Sequence, residues 1–488
     1  MSAIALRCVG AVKSIYNMDT YDISDGKIER AAPVGAMPAR ESIAALATPM
    51  GTSAIAVIRL SGAATRQIVR GLTGGELLPR VAHHRDYRGC GGVLFDDVVM
   101  TFYPGPKSYT GEDTLEISAH GNPFIAQKIL EDLVARGARL AEPGEFTQRA
   151  FLAGKFDLSR AEAVMDLIRA RSDRALAVAN RQLRGGLTDK MNGLIEELLK
   201  VLARIEVYID FPEEDLPDED RRATGEIISR ILLLNNRLLA TERFGSLLRD
   251  GVKAVIIGAP NAGKSSLLNR LVGKDRALVS AEPGTTRDFI EERILVGAHA
   301  LRLIDTAGLN PSPTPLERLG IQKTWERASE ADLFLVMVDA SAVNSPPLPW
   351  PQIMAERLTA ANTIVVLNKM DLVAEEVVCP VPAGFEVVKI SVVTGMGQEA
   401  LLAAIAAKAD AFNQEPEDLV AINTRHAVAL SAARDLLVDA ARKFGESAPM
   451  ELVASDLRGV LAAFGEISGR VDNERVLDHL FATFCIGK

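Results

Sequence analysis

Cysteine is scarce: four in 488 residues, at positions 8, 90, 379 and 485, no two of them in a CxxC pair. That spacing argues against a zinc ribbon or a disulfide framework and fits a reducing cytoplasm. Aromatic residues are few as well, with two Trp and six Tyr. No apolar run approaches the length needed to span a bilayer, so no membrane association is expected. Basic charge is also lacking: 55 Lys and Arg stand against 64 Asp and Glu, a formal net charge of −9. A protein that grips nucleic acid over its whole surface is usually basic, so any RNA contact here has to use a local patch or a partner's surface.

What is present is length and apolar residues, 488 residues of which 48% are hydrophobic. One core cannot absorb such a chain, and two to four domains are expected. Residues 1–36 contain Asp19, Asp22, Asp25 and Glu29, which argues against a transit peptide, and their apolar stretch is too short for a secretion signal. The segment reads as a disordered extension, or as sequence upstream of a true start at Met37. From about 41 to 119, runs such as Ile55–Leu60 and Thr114–Ala119 read as strands broken by Gly and Pro, with Pro104–Gly111 a loop. From 161 to 248 the spacing turns helical: Leu194, Leu198, Leu202 and Ile205 share one face. Phe211–Pro217 interrupts it, because proline inside a helix removes a hydrogen bond. Between 251 and 411 short apolar runs alternate with helical segments, the pattern of a mostly parallel sheet. Helical spacing returns from 427 onward, so the α/β block reads as an insertion within one helical domain.

The block from 251 to 411 opens with a phosphate loop. Gly258-Ala-Pro-Asn-Ala-Gly263-Lys264-Ser265 follows the apolar run Ala254–Ile257 and precedes the helical Ser266–Val272, the strand–loop–helix setting this motif requires. Backbone N–H groups of Asn261, Ala262, Gly263 and the residues up to Ser266 would face phosphate at the head of a helix dipole. Lys264 would reach the β- and γ-phosphates and Ser265 would bind Mg²⁺. A chance glycine-rich turn is the bland alternative, and the flanking elements make it a poor one. Asp305-Thr306-Ala307-Gly308 closes the run Leu301–Ile304; Asp305 would hold Mg²⁺ through water and the Gly308 N–H would meet the γ-phosphate. Asn368-Lys369-Met370-Asp371 closes the run Thr363–Leu367. A carboxylate there accepts from guanine N1–H and its amine; adenine would leave the charge unpaired, which is costly. Ser391, Val392 and Val393 would wall the base. Four elements in this order, each at a strand end, predict GTP over ATP.

The hydrolytic machinery is less explicit. The position after Asp305–Gly308 holds Leu309, which cannot orient water as the glutamine of many GTPases does. Glu317 is the nearest polar candidate, although on residue type alone a solvated helix-start carboxylate is the more frequent role. Thr286, in Gly284-Thr285-Thr286-Arg287-Asp288, is the natural sensor of Mg²⁺ and γ-phosphate. No arginine finger is evident. The Asn261 side chain could instead hold a monovalent cation beside the β–γ bridge.

Gly284–Asp288, Asp305–Leu309 and the terminal Phe484-Cys485-Ile486-Gly487-Lys488 resemble the MnmE (TrmE) family of tRNA-modification GTPases. The resemblance runs from about residue 40 to 488 and includes Ile58–Gly62, Ser108–Asp113, Pro143–Thr147 and Gly154–Asp157. It implies an α/β plus all-α fold: an N-terminal folate-binding and dimerisation domain (37–155), a discontinuous helical domain (156–250 and 412–488) and an inserted Ras-like G domain (251–411). It implies a homodimer working with the FAD protein MnmG to modify carbon 5 of the wobble uridine of certain tRNAs. The one-carbon donor would be 5-formyl-tetrahydrofolate or a related tetrahydrofolate. By the same resemblance Arg59, Glu116, Lys155 and Lys488 would contact folate. K⁺ would sit on Asn261, Ser280, Glu282 and Thr285, and Glu317 would be the catalytic glutamate. The family usually has Arg where Asn310 stands here. The rival reading from another class is a ribosome-assembly GTPase switch; such factors often carry a basic RNA-binding appendage, which this acidic chain lacks.

Overall fold

The computed structural model describes residues 21–24, 27–30, 41–210, 218–259, 261–276, 291–305, 331–342, 357–373, 384–412, 420–469, 480–482, 484 and 486–487. They fall into two compact units, Met1–Met165 with Thr188–Ser229 and Leu436–Lys488, and Asp166–Leu187 with Arg230–Asp435. Within the segment expected to be without structure, β1 (Tyr21–Ser24) and β2 (Lys27–Arg30) form an antiparallel pair.

The first unit is built on a six-stranded sheet of β3 (Ser42–Leu46), β4 (Ile55–Ser61), β5 (Ala82–Arg88), β6 (Leu94–Tyr103), β7 (Thr114–His120) and β8 (Ala138–Leu140), in the order β5-β6-β7-β4-β3-β8. All its pairings are antiparallel except β3 with β8. Alternation in β4 and β7 sends Ile58, Leu60, Leu115 and Ile117 to a face packed with Ile68 and Val69 of α1 (Thr65–Thr73) and Ile129 and Leu133 of α2 (Pro123–Ala135). Helix α2 begins where Pro123 follows Asn122, whose side chain accepts the Phe124 N–H at 2.9 Å, the standard way to satisfy a first-turn donor. The opposite face carries Ile43 and Ala45, packed with Phe146 of α3 (Glu145–Leu152).

Helices dominate the remainder: α4 (Leu158–Arg169), α5 (Asp173–Leu183), α6 (Gly186–Asp210), α7 (Asp218–Leu239) and α8 (Glu242–Asp250). Leu194, Leu198, Leu202 and Ile205 of α6 are all buried, as their spacing predicts. The helix stops at Asp210, before the proline-bearing segment.

In the second unit lies the sheet β10-β11-β9-β12-β13-β14, made of β9 (Val252–Gly258), β10 (Glu291–Val296), β11 (His299–Asp305), β12 (Leu333–Asp339), β13 (Thr363–Asn368) and β14 (Glu386–Lys389). Only β10 with β11 is antiparallel. Its central strands are buried on both faces, hence the unbroken apolar runs in the sequence. Helix α9 (Lys264–Arg276, interrupted at Gly273) follows β9, and α10 (Gln398–Phe412) follows β14. Helices α11 (Thr424–Gly445) and α12 (Met450–Ser468) follow. Among the described residues no helix is long and apolar enough to cross a membrane.

Candidate functional site

The carboxyl ends of β9, β12 and β13 converge, and the expected nucleotide residues sit there. A parallel sheet binds ligands beyond these ends, where strands give way to helix N-termini. Gly258 ends β9 with φ 155°, and a Cβ at that position would lie 2.4 Å from the Met337 carbonyl oxygen. Gly263 has φ 101°, and its Cβ would lie 2.4 Å from Asn368 Nδ2. Both positions therefore demand glycine on steric as well as conformational grounds. Between them Asn261 adopts φ 63° and is exposed, while Ala262 is buried. Lys264 folds back over the loop, its Nζ donating to the carbonyls of Gly258 and Ala259 at 3.0 Å each. Its charge is thus held above the concavity that a phosphate would enter. Ser265 and Ser266 are exposed on the first turn of α9.

Asn368 organises the base side. Its Nδ2 donates to the Ala262 carbonyl at 2.8 Å and its Oδ1 accepts the Val392 N–H at 3.0 Å. One buried amide thereby ties the phosphate loop to the 391–393 segment. Lys369 adopts φ 67° and bridges to Asp339 Oδ2 at 2.5 Å. Asp371, in the short 3₁₀ turn Met370–Leu372, is exposed and available to a base. Ser391 is buried, its Oγ accepting the Thr394 N–H, and Val393 is 82% exposed. These groups fit a guanine nucleotide: a glycine-lined cradle, a lysine over it and a free-standing carboxylate at the base position.

Two participants escaped the sequence reading. Asp339 ends β12 opposite Asn368 in the β12–β13 register. Burial pushes its carboxyl up, and hydrogen bonds from Lys369 and Ser341 more than reverse this, so its pKa is lowered. Arg270 of α9 donates to the carbonyls of Val392 (2.7 Å) and Val393 (3.3 Å) and to Gln398 Oε1 (3.0 Å), bracing the base wall from behind. The signal for Asp339 was an acid closing an apolar run, like Asp305 and the Asn of Asn368–Asp371. For Arg270 there was none.

Other expectations lie outside the described residues: Ser280, Glu282, Thr285, Thr286, Thr306, Ala307, Gly308, Glu317, Asn310 and Lys488. Asp305 is described only as the end of β11, in register with Ile256 of β9.

A second cluster occupies the first unit, on the sheet face opposite the helices α1 and α2. Arg59 and Glu116 are register partners across β4 and β7. Arg59 Nε (3.0 Å) and Nη2 (2.7 Å) both donate to Glu116 Oε1, and Nη1 donates to the Gly487 carbonyl at 3.3 Å. The guanidinium lies 5.4 Å from the ring centre of Tyr109 and 5.7 Å from that of Phe146, within cation–π range. Lys155 donates from Nζ to the carbonyl of Pro106. Arg59 and Lys155 thus both meet the 104–111 loop, the one through Tyr109 and the other through Pro106. Tyr109 lies within the Ser108–Asp113 motif, and its ring, under Arg59, makes it a member of the cluster. Behind it Arg149, buried, bonds Glu145 (2.8 Å), Glu112 (3.0 Å) and the Glu41 carbonyl (2.9 Å). Burial pushes Glu145 up, but bonds from Arg139, the Glu142 N–H and Arg149 outweigh it and hold the carboxyl at about 2. A flat heteroaromatic ligand with a carboxylate tail finds here an aromatic wall, a carboxylate and cations, so the residues present fit a folate.

Comparison with known proteins gives concordant matches. Residues 158–485 match the model of the MnmE helical domain, and residues 42–155 match that of the GTP-binding protein TrmE N-terminus. The tRNA modification GTPase MnmE of Opitutus terrae is 55% identical over 92% of this chain and 100% of its own length. Its counterparts in Symbiobacterium thermophilum and Thermotoga petrophila are 43% and 41% identical, again over 92% of this chain, and over 99% and 100% of their own lengths. With that coverage, and with a guanine-type nucleotide site at the end of a parallel sheet, the chain belongs to the MnmE family of tRNA modification GTPases.

Proposed function

We propose that this chain is a K⁺-activated GTP hydrolase that, as a homodimer with an MnmG-like FAD protein, modifies carbon 5 of the wobble uridine of certain tRNAs, with a tetrahydrofolate as one-carbon donor. The observation that carries the nucleotide part is Asn368, whose two amide bonds hold the phosphate loop and the 391–393 segment in one rigid arrangement around an exposed Asp371. On its base side a site built this way has its dipoles in place before the nucleotide arrives, and preorganised dipoles are a large source of electrostatic stabilisation in phosphoryl transfer.

Within that reading, Lys264 leaves its loop carbonyls for the phosphates, and Ser265 and Thr286 supply oxygens for Mg²⁺. Mg²⁺ when bound neutralises charge on the β- and γ-phosphates. Asn261, exposed and with a left-handed φ of 63°, would join Ser280, Glu282 and Thr285 in holding K⁺. Glu317 orients the attacking water, the role that Leu309 cannot fill. Arg59, Glu116 and Lys155, with Lys488 beyond the Gly487 carbonyl, hold the folate; cytoplasmic work on tRNA follows from the family role.

Three measurements test this. Glu317→Ala should keep nucleotide affinity and lose most turnover; an unchanged kcat removes Glu317 from catalysis. Replacing K⁺ by Na⁺ should depress hydrolysis strongly, and equal rates in both salts would dismiss the cation site. Wobble nucleosides of tRNA from cells lacking the gene should lose the carbon-5 substituent on mass analysis; an intact modification would refute the tRNA role while leaving GTP hydrolysis standing.

A further inference from the structure

The turn that would wall the base is closed on itself. The Ser391 N–H donates to the Met396 carbonyl at 3.0 Å, the Gly395 N–H to the Ser391 carbonyl at 2.8 Å and the Thr394 N–H to Ser391 Oγ at 3.1 Å. A turn bonded in this way moves as one piece. Whatever fixes it against the phosphate loop therefore decides whether the two halves of the nucleotide site stay together.

Two side chains from elsewhere in the second unit grip it, both at Val392. Asn368 accepts the Val392 N–H and ties it to the Ala262 carbonyl of the phosphate loop. Arg270 takes the other backbone group of the same residue. Its Nη1 donates to the Val392 carbonyl at 2.7 Å and to the Val393 carbonyl at 3.3 Å, and its Nε donates to Gln398 Oε1 at 3.0 Å. These three acceptors are neutral oxygens. What arginine brings to them is a rigid planar fork that meets several oxygens at once.

The turn is shaped around that guanidinium. Gly395 has φ 89°, and a Cβ there would overlap Arg270 Nη2, so glycine leaves the space that the arginine fills. On α9, Arg270 stands about 9 Å along the axis from Lys264 and ahead of the interruption at Gly273. One unbroken stretch of helix thus carries the phosphate-loop lysine at its start and the grip on the base wall less than two turns later. In a trans peptide the carbonyl and the following N–H point opposite ways. The bond to the Val392 carbonyl therefore also keeps the Val393 N–H turned away from Arg270, and this peptide cannot flip while the bond holds.

We propose that Arg270 is a positioning residue that latches the base wall and thereby sets the rate at which a guanine nucleotide leaves. This rests on the nucleotide site proposed above and concerns its release kinetics. A nucleotide seated between the phosphate loop and the 391–393 segment departs when that segment swings out, and the segment swings out when the Arg270 bonds break. Base choice stays with Asp371, so the latch acts on dissociation and not on discrimination.

The test is stopped-flow fluorescence with N-methylanthraniloyl-GDP and Mg²⁺ on the full-length protein, wild type against Arg270→Met and Arg270→Lys. Methionine is accommodated because Arg270 shares a small cavity with Leu267, Leu271, Ile390 and Leu401. Arg270→Met should release the probe at least about tenfold faster, the size expected for losing hydrogen bonds from a charged donor. Association should change by less than about twofold, and GDP should still displace the probe where ADP does not. Arg270→Lys keeps the charge but not the fork, and its release rate should fall between the two. Release from Arg270→Met at the wild-type rate overturns the latch. So does a lowered thermal midpoint of the nucleotide-free protein with release unchanged, the result a merely structural arginine would give. A wild-type chain that does not hold the probe refutes the nucleotide site itself, and the latch with it. If Arg270→Met does not fold, Arg270→Lys alone decides, and release at the wild-type rate overturns the proposal.

Discussion

In the parallel sheet the groups that would meet a ligand sit past the strand ends, on turns that glycine makes possible at Gly258 and Gly263. In the antiparallel sheet they sit mid-strand on an open face, where Arg59 of β4 and Glu116 of β7 are register partners. The first arrangement is made of contiguous backbone and leaves contiguous motifs. The second takes one residue from each strand, so its members stand far apart in the chain and carry no local signature. The energetics differ too. The strand-end site relies on backbone dipoles and one buried amide, Asn368. The face site is backed by the buried ion network of Arg149, Glu145 and Glu112.

The contrast can be broken most forcefully at that network. Glu145→Gln strands part of the charge of Arg149, only 3% exposed, and should destabilise the N-terminal region by on the order of 3 kcal/mol, read by denaturant unfolding. The same carboxyl sets an acid limit. Its folded pKa of about 2 lies below the ordinary 4.5, so its contribution is fully present above pH 4.5 and drains away as pH falls toward 2. Stability that stays flat through that window would contradict the network. On the nucleotide side, Asp371→Asn should weaken GTP binding by about 2–4 kcal/mol and erase the preference for guanine over adenine, measured by competition with ATP.

Gly263→Ala comes next. Its φ of 101° and the 2.4 Å approach to Asn368 impose strain of about 1–3 kcal/mol, which should appear as a tenfold or greater loss of GDP affinity; tolerance of alanine would mean that the loop relaxes independently of Asn368. The smallest effect belongs to Arg59→Lys. A lysine keeps the charge but cannot span Glu116 and the Gly487 carbonyl together, so formyl-tetrahydrofolate affinity should drop about tenfold while GTP affinity holds. A parallel loss of GTP binding would show that the two sites are not separable in this way.

The G-domain site was largely readable in the sequence because each of its elements closes an apolar strand run: Gly258 is the last residue of β9, Asp305 of β11 and Asn368 of β13. Asp339 obeys the same rule at the end of β12 but belongs to no multi-residue motif, and its bonds to Lys369 and Ser341 are visible only in the fold. The helical face of α6 was readable for a similar reason, as four leucine-type residues at one period need no partner to be recognised. Arg270 was not. It serves the base wall through backbone carbonyls of Val392 and Val393 more than a hundred residues away, and nothing in its own neighbourhood predicts that. The β1–β2 pair was also missed, because an acidic, low-hydrophobicity stretch reads as unstructured until its strands are seen to pair.

By itself the sequence determined the mostly parallel sheet between 251 and 411, the helical stretches on either side of it and the nucleotide class. These follow from local periodicity and from glycines and carboxylates whose chemistry is written in adjacent residues. The tertiary structure decided which distant residues meet: Arg59 with Glu116 and Gly487, Asn368 with Ala262 and Val392, Arg293 with Arg302. The physical reason is register. A strand shifted by one residue turns every side chain to the other face, and that choice is made by the packing of the whole sheet, not by any one segment of it.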